Sequence, residues 1–97
     1  MAKRIIWTSR ADAIFTKILE FHVHRNQSKT YSRKLNQEIH QILNIVAEYP
    51  LLGIKTNVKG IRVVIKKQYK IFYEAKPNEI IVHLVWDTRQ DSDKLKF

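Results

Sequence analysis

Cysteine is absent from this chain, which removes disulfides, thiolate zinc sites and cysteine nucleophiles together and is compatible with a reducing cytoplasm. Glycine and proline are scarce too. Two of each leave no flexible linker, so the 97 residues are expected to form a compact fold. Acidic residues number 9 against 18 Lys and Arg, which gives a net charge of +9 and a pI near 10.0. Such a field attracts polyanions, whether RNA, DNA, an anionic membrane or an acidic protein. Membrane spanning is not expected, because an apolar run such as Ile80 to Trp86 is broken by His83 and falls far short of the roughly 20 residues a span needs. The start, Met1 to Trp7, is basic but carries no apolar stretch of signal-peptide length before Thr8. The four His residues (His22, His24, His40 and His83) show no ligand spacing, so no metal or cofactor is expected.

What is present is a 44% apolar chain with enough hydrophobic residues for one modest core, hence a single domain over residues 1–97. Ile5, Ile6 and Trp7 form a short β-rich run that stops at Thr8-Ser9, either of which can cap a following helix, with Asp12 near its positive start. Ala11, Ile14, Phe15, Ile18 and Leu19 then recur at steps of three and four, predicting a helix to about Arg25. After the polar break Asn26-Gln27-Ser28, a second helical stripe runs through Tyr31, Leu35, Ile39, Ile42, Val46 and Tyr49, widened by Leu43 and Ile45. Pro50 ends it and Gly53 completes the exit turn. So short a connection predicts an antiparallel helical hairpin.

The last third changes period from 3.6 to 2. Ile61 to Lys66, Tyr69 to Glu74 and Ile80 to Trp86 read as three strands joined by hairpin-length connections, Lys67-Gln68 and Lys76 to Glu79. The expected fold is therefore α+β in the order β-α-α-β-β-β, an antiparallel helical hairpin packed on one face of a mostly antiparallel four-stranded sheet. Alternation assigns Ile61, Val63, Ile65, Tyr69, Ile71, Tyr73, Ile80, Val82, Leu84 and Trp86 to the helix-covered face. The opposite face then shows Arg62, Lys66, Lys70, Glu74 and His83, mixed with Val64, Phe72, Ile81 and Val85.

In this order and spacing the chain resembles the RelE/ParE toxin superfamily of type II toxin–antitoxin systems. The matching features are Ile5-Ile6-Trp7-Thr8 leading into Ala11-Asp12, the helical hairpin, Pro50-Leu51-Leu52-Gly53, Ile61-Arg62, Tyr69-Lys70-Ile71-Phe72-Tyr73 and Asp87-Thr88-Arg89-Gln90-Asp91. The resemblance implies a toxin held inactive by a cognate acidic antitoxin. Its target would be the ribosome with mRNA in the RelE branch, which cleaves mRNA, or DNA gyrase in the ParE branch, which inhibits it. RelE-type cleavage needs a base for the 2′-hydroxyl, cations for the phosphorane charge and an acid for the leaving oxygen. Arg62, Lys70, His83 and Arg89 are the candidates for those roles. Arg89 matches the Arg that follows the last strand of the nucleases, and Arg62 lies in a strand that is basic in that branch. Lys70, however, stands where the Tyr-Arg-x-x-Tyr pattern places an Arg, and Lys lacks the bidentate fork that grips phosphate. The nucleases' terminal Tyr or His has no counterpart in Lys94-Leu95-Lys96-Phe97. The long hairpin and the missing tail acid lean toward the ParE-like branch.

Each candidate also has a plainer reading. Arg89, between Asp87 and Asp91, can pin the tail by ion pairing. Lys66 and Lys70 are ordinary solvated strand charges that protect a sheet. His83 can be a half-buried histidine bonded to a neighbour, and Glu74 is a weaker candidate than it. Tyr73, Trp7 and Trp86 read as core, and His22, His24 and His40 as helix surface. Three functions compete: a toxin that binds a protein target, a ribosome-dependent and metal-independent endoribonuclease, and a non-toxic nucleic-acid-binding module. On the first, Arg62, Lys66, Lys70 and Arg89 form or border the surface met by target or antitoxin.

Overall fold

The computed structural model describes residues 2–89. Its elements are β1 (Arg4–Trp7), α1 (Ser9–Asn26), α2 (Thr30–Glu48), β2 (Ile54–Lys55), β3 (Ile61–Lys66), β4 (Tyr69–Ala75) and β5 (Glu79–Asp87). The β-α-α-β-β-β order is present, and the exit turn after α2 contributes one further strand, β2. Two residues paired with Arg62 and Val63 were too short for any periodic signal, so the sheet has five strands where the sequence predicted four. Its order is β1-β5-β4-β3-β2, with β1 parallel to β5 and every other pair antiparallel.

Local chemistry explains the helix ends. Thr8, in extended conformation, accepts the Ala11 N–H on its hydroxyl at 3.0 Å, a cap worth about 1 kcal/mol. Gln27 closes α1 in the left-handed region at φ 50°, and Ser32 donates to the Leu19 carbonyl at 2.6 Å, tying α2 back to α1. Tyr49, held outside the helical region by the following Pro50, ends α2. In the β3–β4 turn Lys67 takes φ 55°, a place usually left to Gly or Asn. Its ammonium lies 2.9 Å from Glu38 Oε2 and 5.4 Å from the Tyr31 ring centroid, so the turn is fastened to α2.

The main core lies between helices and sheet. Leu35, Ile39, Leu43 and Val46 of α2 and Ala11 and Phe15 of α1 pack with Val64, Tyr69, Ile71, Tyr73, Ile80, Val82 and Val85. A large aliphatic side chain wholly buried there contributes about 1.5–3 kcal/mol. Trp7 is half-buried against this core, its ring stacked on Phe15 at 5.3 Å.

Two face assignments change. Val64 pairs with Ile71 and Arg62 with the fully buried Tyr73, so Arg62, Val64 and Lys66 share the helix-covered face while Ile61, Val63 and Ile65 point away. Alternation pointed to the more apolar set, but Ile61 and Val63 serve a second cluster with Phe72 and Leu84, while on the helix side Arg62 is satisfied by the Gly53 carbonyl. In β5 the register shifts between Phe72–Leu84 and Tyr73–Val82, so His83 is an extra residue, a bulge. Beyond it Val85 and Asp87 fall on the helix side, while Leu84 and Trp86 join Phe72 and Ile61 in a second cluster.

Neither helix is long and apolar enough to cross a membrane, and among the described residues no three His, Asp or Glu side chains are grouped as a metal site.

Candidate functional site

β1 pairs with β5 only as far as Val82, where the Thr8 N–H donates to the Val82 carbonyl at 3.1 Å. Beyond that point the chain turns into α1, which takes the place of a strand beside the end of β5. A cavity of about 610 Å³ opens between them. Ile14, Ile18 and Phe21 line it from α1 and Tyr69 from β4. Lys17, Arg25 and Arg89 supply positive charge around it, against one carboxylate, Asp87.

That carboxylate is already engaged. Asp87 Oδ1 accepts the Arg89 backbone N–H at 2.9 Å and its Nε–H at 3.3 Å, while Oδ2 accepts from Nη2 at 3.1 Å. Burial pushes the Asp87 carboxyl up, but these bonds outweigh it and leave its pKa below the ordinary value. The pair is the ion pair expected of Arg89. Asp91, its other expected partner, and the tail Lys94 to Phe97 lie outside the described residues.

The lining also holds His22, 5% exposed, whose Nε2 is 2.8 Å from the Tyr69 hydroxyl. Gln68 donates to that hydroxyl at 3.3 Å, so the arrangement suits a neutral His22 accepting from Tyr69. Burial, then Arg89 and Arg25, lower the His22 pKa, and burial pushes the Tyr69 phenol up to about 12. His22 was expected on the helix surface. The stripe Ala11, Phe15, Ile18 continues at helical spacing to position 22, a signal lost because imidazole counts as polar.

The four cations expected to act together are separated. Arg62 donates to the Gly53 carbonyl at 2.7 Å and, more weakly, to that of Leu51 at 3.4 Å, so it braces the exit loop after α2. Lys66 shares that helix-covered face, on the side of Glu38. Lys70 faces away from the helices between Ile65 and Trp86, as alternation placed it. Arg89 borders the cavity beside α1. Of the residues around this cavity the sequence reading named Arg89 as a candidate but not Lys17, Phe21 or Arg25, which only the docking of α1 on β5 brings near it.

His83 and Glu74 do meet, on the face away from the helices. Imidazole Nε2 lies 3.0 Å from Glu74 Oε1, and Lys76 is 3.5 Å from the other oxygen. The His83 bond, with help from Lys76, holds the Glu74 carboxyl below its ordinary pKa.

Comparison with known proteins agrees with this architecture. A solved chain titled as the chromosomal ParDE TA system from P. aeruginosa superposes with a TM-score of 0.70 at 18% identity, covering 87% of this chain and 94% of that one. At that identity the likeness shows the fold. No curated protein matches in sequence. The model of the ParE toxin of type II toxin–antitoxin systems, parDE, matches residues 5–92, and the chain belongs to that toxin family.

Proposed function

We propose that this toxin arrests growth by binding a protein target, DNA gyrase, in the cytoplasm, and that a cognate acidic antitoxin neutralises it by covering cationic surface. The carrying observation is the match to the ParE toxin over residues 5–92. The +9 charge supports an acidic partner. Separation of the four cations favours binding over catalysis, since cleavage of RNA would need base, acid and phosphate-binding cations around one atom. Lys70 and Arg89 remain the proposed contacts of the original set, and Arg62 and Lys66 border the surface at most from the helix side.

One observation favours the ribosome-dependent nuclease as a second reading. Glu74 orients the His83 imidazole, as a carboxylate orients a general base. Induced expression with separate readouts distinguishes the two. Loss of supercoiling by purified gyrase on addition of the toxin, with mRNA intact, is expected. Cleavage of mRNA at the ribosomal A site with gyrase unaffected would replace the first reading by the second, and unimpeded growth at verified soluble expression would reject both.

A further inference from the structure

The turn of the helical hairpin carries a charge pattern that neither the core nor the ion pairs of the fold account for. From Phe21 to Gln37 the chain has no acidic residue, and Lys29, Arg33 and Lys34 sit at the cap and first turns of α2. A helix start favours carboxylates, because its free N–H groups and dipole are positive there, so three cations in this place cost stability. Lys29 and Arg33 are exposed and have no ion-pair partner among the described residues. The cations form two rows along the helix. Lys29 and Arg33, about one turn apart, border a shallow groove of about 230 Å³ against Leu19 and Val23 of α1. On the other flank Lys34 comes together with Lys66 and Lys67 of the β3–β4 turn around Glu38. That carboxyl lies 2.9 Å from the Lys67 ammonium, and its pKa is lowered by this bond first and then by the charges of Lys67, Lys66 and Lys34. Five cations thus flank the N-terminal half of α2, and the carboxylate among them is spent on Lys67.

The surface around these rows narrows the choice of partner. Between Phe21 and Ile45 no large apolar side chain is exposed, so the apolar centre of a protein interface is missing. Tyr31 is the sole Tyr, Phe or Trp in that span. It is half-buried, with the His22 ring at 4.6 Å and the Lys67 ammonium over its ring at 5.4 Å, so it offers no platform on which a single-stranded base could stack. What the hairpin turn exposes besides cations is the amides and hydroxyls of Asn26, Gln27, Ser28 and Thr30, side chains of the kind that contact phosphates. A helix is about 10–12 Å wide with its side chains, close to the major groove of B-form DNA at about 12 Å, whereas the major groove of A-form RNA is too narrow. We infer that the N-terminal half of α2 lies along the major groove of duplex DNA, with Lys29 and Arg33 on the phosphates of one strand and Lys34, Lys66 and Lys67 on those of the other. The contacts are to the backbone and read no sequence. This surface goes beyond the gyrase reading and does not rest on it.

Anisotropy titration of a short fluorescent DNA duplex at several salt concentrations tests the surface. Lys29→Glu combined with Arg33→Glu is expected to weaken binding about tenfold more than Lys55→Glu combined with Lys59→Glu, an equal change of charge beside the start of β3, and to make the salt slope shallower by about 2. Carboxylates suit the start of α2, so the melting temperature of the first variant should equal or exceed the wild-type value. The chain has no cysteine, so a photocrosslinker attached to Asn26→Cys at the hairpin turn, or to Asn57→Cys before β3, reports position alone. DNA should be captured by the first and not by the second. Equal losses in the two charge-matched variants, or crosslinking that does not distinguish the two cysteines, would reduce binding to the diffuse field of a chain with charge +9 and overturn the inference. Duplex RNA or single-stranded DNA that binds as tightly, with the same dependence on Lys29 and Arg33, would also overturn it, because the groove would not be what is recognised. Growth arrest enters none of these readouts, so failure here leaves the toxin reading intact.

Discussion

Tyr73 and Gly53 are joined through the tyrosine hydroxyl, which accepts the Gly53 N–H at 2.8 Å and donates to the Pro50 carbonyl at 2.8 Å. A Cβ on Gly53 would sit 2.6 Å from that oxygen, so the residue must be glycine for reasons of space. Gly53→Ala should destabilise the fold by about 1–3 kcal/mol through overpacking, and Tyr73→Phe by about 1–3 kcal/mol through two unpaired backbone groups. Urea denaturation measures both, and wild-type midpoints would contradict the arrangement.

Arg62 and Lys70 should separate stability from toxicity. Arg62→Ala removes a brace from the exit loop and is expected to lower the melting temperature. Substituting Lys70 and Arg89 together by Ala should reduce growth arrest while the melting temperature stays within a few degrees, since exposed charges add little to stability. Full toxicity in that double variant would shift the target surface elsewhere.

His83→Ala discriminates between the two mechanisms. A toxin that works by binding gyrase should retain its growth arrest, and one that uses an imidazole oriented by Glu74 should lose it by a factor of about 100 or more. In either case the purified chain should not cleave free RNA, and its loose binding to RNA should fall steeply with salt.

His22 should leave a mark on the pH dependence of stability. Its folded pKa lies below the unfolded value of about 6.5, so the unfolded state takes up its proton first as pH falls. The associated stability is present in full above that value and is lost as pH falls toward the folded pKa. Melting temperatures of His22→Gln should lack this component, while retaining the loss at lower pH caused by Glu74 and Asp87, whose folded pKa values are also lowered.

The elements of this fold were legible because each carries a long periodic stripe or a hard stop. α1, α2, β3, β4 and β5 lie within about two residues of their sequence expectations, and Pro50 and Thr8 act as their residue types require. The faces were less legible. The more apolar side of β3 packs in the second cluster and not under the helices, and the bulge at His83 inverts β5 beyond it, so neither error involved a misread strand. The cavity beside α1 was invisible for another reason. Phe21 and Arg89 are far apart in the chain, and nothing local to either indicates where α1 comes to rest.

The parallel pairing of β1 with β5 joins Arg4 to Glu79, residues 75 positions apart, and places the first strand beside the last. Contacts so distant in sequence form late, after the chain between them has collapsed. Until β5 is in place β1 has no strand partner, and Asp87 at its end and Arg89 just after it cannot border the cavity beside α1. The sheet and the cavity wall beside α1 are therefore closed by one and the same late contact, so whatever loosens β1 from β5 loosens both.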